Sequence, residues 1–247
     1  MNKYIATALM LSVACTGVRA TEAGQGSTQA TAPLPYSAAF TRATHIHSLP
    51  IATGKVSDQL PALRNRAEAG DAKAAATIYA SLVQCRALST SVTTKDTTGN
   101  CNGLTAADTA EAGKWLEMAA ARGDADAQYA YAAGGFDDVL GEQRAESDPA
   151  ALNHYVSNAK QYLTGLAEQC NFDAIGALAT AYGKDGLVFG KDANQAYTYL
   201  VIKQTLARVP NKYDASYQAY LEKNITAPAT VASLRQEASS FVTQHCR

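Results

Sequence analysis

Three stretches of the chain share one skeleton of apolar and small residues, and this internal repetition constrains the fold more than any other feature. In the clearest stretch, residues 112–127, the apolar and small residues recur at helical spacing up to Gly123. Glycine there suits the end of a helix. Asp124 suits the start of the next helix, because its carboxylate can accept the first backbone N–H groups. The pattern therefore predicts helices joined in pairs by short turns.

Two further copies of the skeleton are present, at residues 63–74 and 159–174, and each has a position that corresponds to Gly123. The corresponding residues are Gly70 and Cys170. Successive turns are 53 and 47 residues apart, which exceeds the roughly 34 residues of a tetratricopeptide unit. Each interval therefore has room for an inserted loop, and a third, shorter loop follows. We place these loops at residues 85–104, 134–148 and 183–192.

The skeleton carries two recognisable helix motifs. The form A-x-x-W-Y-x-x-A-A-x-x-G is approximated by Ala112, Trp115, Ala119, Ala120 and Gly123, and Tyr162 replaces Trp115 in the later copy. The form A-x-x-x-L-G-x-x-Y is approximated by Ala174, Leu178 and Tyr182, with Ala179 in place of the glycine. Over residues 57–208 the chain thus resembles the Sel-one-like repeat, a branch of the tetratricopeptide-like helical hairpins. The resemblance implies an α-solenoid of antiparallel helical hairpins with a concave binding surface.

The C-terminal part of the chain is also predicted to be helical. Thr226 suits the start of a last helix that would cap the open end of the stack. One face of that helix would be apolar, formed by Val231, Leu234, Ala238, Phe241, Val242 and His245. We therefore predict an all-α fold, with a helical repeat domain over residues 57–247.

The N-terminus has the features of an export signal over residues 1–20. Lys3 precedes an apolar run, which is followed by small residues that suit cleavage after Ala20. An alternative is that Cys15 lies in an imperfect lipoprotein box and carries a lipid anchor. Residues 21–56 are predicted to form a flexible linker, because their first half is rich in Gly, Ser, Thr, Ala and Pro. No later stretch is long and apolar enough to span a membrane. The expected location is the periplasm or the outside of the cell, with an outer-membrane lipoprotein as the alternative.

The charge balance excludes one class of partner. Loss of the signal would remove two basic residues and no acidic ones, leaving 19 basic groups against 22 acidic groups and a net charge of about −3. A chain without a basic surplus lacks the electrostatic footprint of a nucleic-acid-binding protein.

Four cysteines would remain after export: Cys85, Cys101, Cys170 and Cys246. An even number in an exported chain indicates disulfides, with three possible pairings. We favour Cys85–Cys101, which would close a polar loop, and Cys170–Cys246, which would hold the C-terminal end. A four-cysteine zinc site is the alternative, although no C-x-x-C pair is present.

The sequence shows no recognisable catalytic, phosphate-binding or cofactor motif. His45 and His47 have a spacing that could bind a metal weakly, but they are more simply exposed side chains. The tyrosines of the repeat positions are predicted to pack between helices, with a sugar-binding platform as the alternative. The acidic loop around Asp137, Asp138 and Glu142 is either only solvated or a binding site for a partner.

A binding scaffold for a protein or peptide is the function that these features favour, with no catalysis, cofactor or metal. A hydrolase acting on envelope polymers and a lipid-anchored structural component of the envelope are the alternatives.

Overall fold

The computed structural model describes residues 43–91, 96–207, 211–225 and 228–247. These residues form helices and loops, and their one β feature is an isolated parallel bridge between Thr44 and Asn171. The all-α prediction is confirmed for this part of the chain. The signal segment, Cys15 and residues 21–42 of the predicted linker lie outside the described residues. The helices are α1 (Val56–Glu68), α2 (Ala72–Thr90), α3 (Ala106–Ala110), α4 (Ala112–Ala121), α5 (Ala125–Gly134), α6 (Phe136–Val139), α7 (Glu142–Ser147), α8 (Pro149–Glu168), α9 (Phe172–Tyr182), α10 (Ala193–Leu206), α11 (Lys212–Asn224) and α12 (Pro228–His245).

The long helices pack in chain order. Helix α2 lies against α1 and α4, α5 lies against α4 and α8, and α9 lies against α8 and α10. Helices α11 and α12 both pack against α10. The short helices α6 and α7 lie in the inserted loop 134–148, α3 follows the loop 85–104, and all three contact the long helices beside them. No helix in the described ranges is long and apolar enough to cross a membrane.

One turn recurs at the three positions that the repeated skeleton aligns. Gly70, Gly123 and Cys170 all have a positive φ, of 111°, 85° and 59°. In each turn this residue donates to a carbonyl three residues back, and the next residue donates to a carbonyl five residues back, at 2.8–3.2 Å. These paired bonds form a Schellman motif, which satisfies the last carbonyls of a helix. The aligned positions are therefore structurally equivalent.

The same three turns also start the next helix in the same way. The side chain directly after each turn accepts a hydrogen bond from the backbone N–H three residues on, at 2.9–3.0 Å. Such N-caps satisfy one of the unpaired donors at the beginning of a helix. The capping residues are Asp71, Asp124 and Asn171.

Both favoured disulfides are present. Cys85 and Cys101 have sulfurs 2.03 Å apart and join the end of α2 to the loop before α3. Cys170 and Cys246 have sulfurs 2.05 Å apart and join the α8–α9 turn to the end of α12. Since all four thiols are used, none is left as a thiolate ligand for zinc.

Cys170 adopts the left-handed conformation of the turn and also forms a disulfide, whereas Gly70 and Gly123 do only the first. It is the only non-glycine residue with positive φ in the described ranges, and that conformation costs a residue with a side chain about 1–2 kcal/mol. The disulfide to Cys246 closes a separation of 76 residues, which stabilises the fold by about 4.5 kcal/mol in the chain-entropy account. The cross-link therefore outweighs the backbone cost.

We predict that two variants lacking this disulfide will differ in stability. Cys170→Gly with Cys246→Ser should be about 1 kcal/mol more stable than Cys170→Ala with Cys246→Ser, because glycine adopts the positive φ without strain. Both should be less stable than the oxidised wild-type protein. Urea unfolding of the three proteins measures the differences, and equal stability of the two variants would contradict the argument.

Trp115 is a core residue, as the repeat pattern predicted. Its side chain is 1% exposed in α4, and the neighbouring Ala119 and Ala120 are fully buried. The small residues let α4 pack closely against α2 and α5. The Trp115 indole fills space between the packed helices.

We predict that Trp115→Ala will lower the free energy of unfolding by about 3–5 kcal/mol, as for other large buried aromatic residues. Tyr213→Ala is the control, because Tyr213 is 71% exposed. It should change stability by less than about 0.5 kcal/mol. Denaturant unfolding monitored by circular dichroism tests both, and a mild effect at Trp115 would show that the site can collapse around the smaller side chain.

Residues 43–55, which we call the strap, belong to the segment predicted to be a flexible linker, and in the structure they are hydrogen-bonded to the helical part. They run extended over the helices and are held through their backbone. Thr44 donates to the carbonyl of Cys170 at 3.1 Å and accepts from Phe172 at 2.9 Å. Further along, the backbone N–H of Ala52 donates to the buried Ser81 hydroxyl at 2.9 Å. Gly, Ser and Pro content did not reveal this packing, because the bonds are made by the main chain.

The C-terminal helix packs as the apolar pattern predicted. Leu234, Ala238 and Val242 are buried in the core. Arg235 donates to the Tyr197 hydroxyl at 2.8 Å and pairs with Glu222 at 2.9 Å, so one network joins α10, α11 and α12. The helix begins at Pro228, and Thr226 lies outside the described residues.

Candidate functional site

An open groove of about 1040 Å³ lies among the described residues. Its two long walls are α5 and α9, the helices that begin directly after the second and third repeated turns. Helix α8 packs against both of them, and Tyr155 and Leu163 of α8 reach the groove. The loop 183–192 closes one side with residues 186–189. Helix pairs placed by the repeated turn therefore create the groove.

Small residues form much of the groove surface. They belong to α5 and α9, and each is exposed or half-buried. A wall without long side chains lets a bound molecule come close to the helix backbone. These residues are Ala132, Ala133, Gly134, Gly176, Ala177 and Ala181.

An aromatic cluster supports the α5 side of the groove. Tyr155 stacks on Tyr131 at 4.9 Å between ring centroids and meets the edge of Phe136 at 5.4 Å. The Tyr155 hydroxyl donates to the Tyr131 carbonyl at 2.9 Å. Burial raises the pKa of Tyr131 to about 12 and also raises the pKa of Tyr155. Both phenols therefore remain neutral at physiological pH, and Tyr155 is an uncharged residue of the groove lining.

The groove continues toward the strap. A second, smaller depression of about 390 Å³ shares Tyr129, Ala133 and Gly134 with the main groove and is bounded by Ile46 and Leu49 of the strap. The two depressions therefore form one surface across the face of α5.

Acidic residues outnumber basic ones along this surface. Asp137 and Asp173 line the main groove, and Asp126 lines the smaller depression. The one lysine of the lining, Lys203, forms an ion pair with the buried Asp214 at 3.0 Å. Since this pair neutralises the lysine, the surface has a negative balance.

Two of these acids already hold the strap. Asp173 accepts the backbone N–H of Ile46, and Asp126 accepts that of His47, both at 2.8 Å. The two aspartates lie at the same repeat position, two residues after their N-caps. Each also has one of the two strap histidines near it, at 3.3 and 3.8 Å.

The H-x-H pair lies in the strap. His45 and His47 face different carboxylates, and no group of three or more metal-binding side chains occurs in the described part of the chain.

Tyr182 and Tyr199 stack on each other at 6.0 Å between ring centroids, as the packing interpretation of the repeat tyrosines predicted.

The acidic residues of the loop were predicted to be exposed, and Asp138 differs because its side chain is mostly buried. It accepts a hydrogen bond from the Tyr79 hydroxyl at 2.8 Å and pairs with Arg86, which fastens α6 to α2. Gly113 lets α6 sit against α4, since a Cβ there would lie 1.9 Å from the Asp138 carbonyl oxygen. Asp138 is therefore structural.

The other two acids of the loop are exposed, as predicted, but they are not equivalent. Asp137 lines the groove, and its carboxylate makes no hydrogen bond or ion pair to any described residue. Glu142 lies in the first turn of α7, outside the groove lining.

Sequence reasoning missed three parts of the groove lining, which are Phe172, Lys203 and the α9 face. The run of small residues between the buried positions of α9 was the available signal.

We predict that Asp138→Ala will destabilise the protein by about 1.5–3 kcal/mol, because it leaves a half-buried arginine and a tyrosine hydroxyl without their charged partner. Asp137→Ala and Glu142→Ala should each change stability by less than about 0.5 kcal/mol. Thermal and urea unfolding distinguish the three. A neutral Asp138→Ala would mean that water replaces the contact.

Comparisons with protein-family models, with curated proteins and with solved structures find no match to this chain.

Proposed function

We propose that the protein is an exported helical-repeat scaffold of the Sel-one-like kind, which binds a segment of another protein in the groove between α5 and α9. The observation that carries the proposal is the groove itself. It is open, mostly apolar, continuous with a second depression, and lined by the helices that follow two equivalent turns. Such grooves between stacked helices are suited to peptides and protein faces.

The α-solenoid arrangement is part of the proposal. It is supported by packing between long helices that follow one another in the chain and by the threefold recurrence of one turn with one type of cap. In a solenoid each unit contacts chiefly its neighbours, and the exposed face of successive first helices becomes a binding surface.

Export to the periplasm or the outside of the cell is also proposed. Two disulfides fit an oxidising compartment, and residues 1–20 have the composition of a secretory signal. Lipidation at Cys15 is the alternative, which would hold the same scaffold at the outer membrane.

The test of the proposed function is to fill the groove without disturbing the fold. Gly134 lies in both depressions, and a Cβ built there meets no atom within 4 Å. Gly134→Trp should therefore place an indole in the groove and weaken partner binding by about tenfold or more. Gly165→Trp is the matched control, because Gly165 also has open space around its Cβ position and lies outside the groove lining.

Partners would be captured from periplasmic extract and culture medium with immobilised wild-type protein, and their affinities compared across the variants. Loss of binding in Gly134→Trp alone supports the groove. If both variants bind the partner as tightly as the wild-type protein does, with unchanged circular dichroism, the groove is excluded as the site.

A further inference from the structure

We propose that the segment bound in the groove is an extended peptide carrying a Lys or Arg side chain beside an apolar one, and that Asp137 pairs with this basic side chain. The inference rests on the proposed function and specifies the chemistry of the partner.

The dimensions favour a length of polypeptide. A volume of about 1040 Å³ is at the upper limit for pockets that bind small molecules, and the groove opens into a further depression. The small residues on α5 and α9 let a main chain lie close, while Phe136, Phe172 and Phe189 offer apolar contact along the sides.

The strap shows how this face holds an extended chain. Its consecutive backbone N–H groups, from Ile46 and His47, are accepted by Asp173 and Asp126, which lie at equivalent positions of two repeats. Carboxylates on neighbouring repeats are therefore spaced to hold an extended backbone. Because Asp173 and Asp126 already accept these hydrogen bonds, another residue must recognise a charged side chain of the partner.

Asp137 is the acid that remains. Lys203 is neutralised by Asp214, and Asp126 and Asp173 are engaged by the strap. The Asp137 carboxylate is exposed and unpaired among the described residues. It lines the groove together with Phe136 and Tyr155, whose rings contact each other. A carboxylate beside aromatic rings suits Lys or Arg, because the ion pair and the ring face both attract the cation.

The probe is a positional-scanning library of acetylated, amidated octapeptides, incubated with the intact, disulfide-bonded protein. Blocked termini prevent a free amine from imitating the basic side chain. We expect enrichment of Arg or Lys at one position, of Leu, Met or Phe at neighbouring positions, and depletion of Asp and Glu.

The selected peptide is then titrated against variants. Asp137→Asn should weaken its binding about threefold to tenfold, and added salt should weaken binding to the wild-type protein much more than to Asp137→Asn. Glu142→Gln removes the same charge from an exposed residue outside the groove lining, and it should leave the affinity unchanged. Exchange of the peptide's basic residue for norleucine should reproduce the loss and remove the effect of Asp137→Asn.

Different failures are distinguishable. Apolar peptides selected without a basic preference, and blocked by Gly134→Trp, would overturn this inference while the groove remains the site. An equal loss in Asp137→Asn and Glu142→Gln would also overturn it, since only a general field would then be acting. If no peptide is enriched, or if Gly134→Trp leaves the selected peptide bound, the inference and the peptide groove are both rejected.

Discussion

The turn that recurs at Gly70, Gly123 and Cys170 is the constraint on which the remaining structure depends. At each position a left-handed residue ends one helix, and the next side chain caps the following helix, so the chain reverses within a few residues. Because every carbonyl and N–H at these ends is a strong polar group, a turn that pairs several of them at once is stabilised against alternatives. The repeated turn joins α1 to α2, α4 to α5 and α8 to α9, and the groove lies between two helices that begin at such turns.

The third turn differs from the other two because it has a cysteine in place of the glycine. A glycine would adopt its conformation without strain, yet Cys170 occupies it and forms a bond to Cys246 at the far end of the described chain. The same turn also pairs with Thr44 of the strap through main-chain bonds. One short segment thus joins the α8–α9 pair, the C-terminal helix and the strap. The groove is bordered by that segment, so the rigidity of the site and the stability of the fold depend on the same contacts.

The acidic loop illustrates which part of a site sequence reasoning can find. Composition and position in an inserted loop pointed to Asp137, Asp138 and Glu142 as a group, and two of them are exposed. Sequence could not separate them, because their difference arises from residues far away in the chain. Tyr79 and Arg86 of α2 bind Asp138, whereas Asp137 lines the groove with Tyr155 of α8 and the face of α9. Likewise, Lys203 adds no net charge to the groove surface only because α11 places Asp214 in an ion pair with this lysine.

Sequence by itself determined the helical class, the positions of the three turns and the burial of Trp115, and it favoured the cysteine pairing that the structure shows. Each follows from local periodicity, from the special backbone demands of a turn, or from the spacing along the chain of a few chemically distinct residues. Tertiary structure alone decided that residues 43–55 pack as a strap, that Asp138 is fastened to α2, and that α5 and α9 enclose a groove. These features depend on main-chain hydrogen bonds and on contacts between residues more than fifty positions apart. Main-chain bonds carry no side-chain signature, and a distant partner is specified only once the helices have packed.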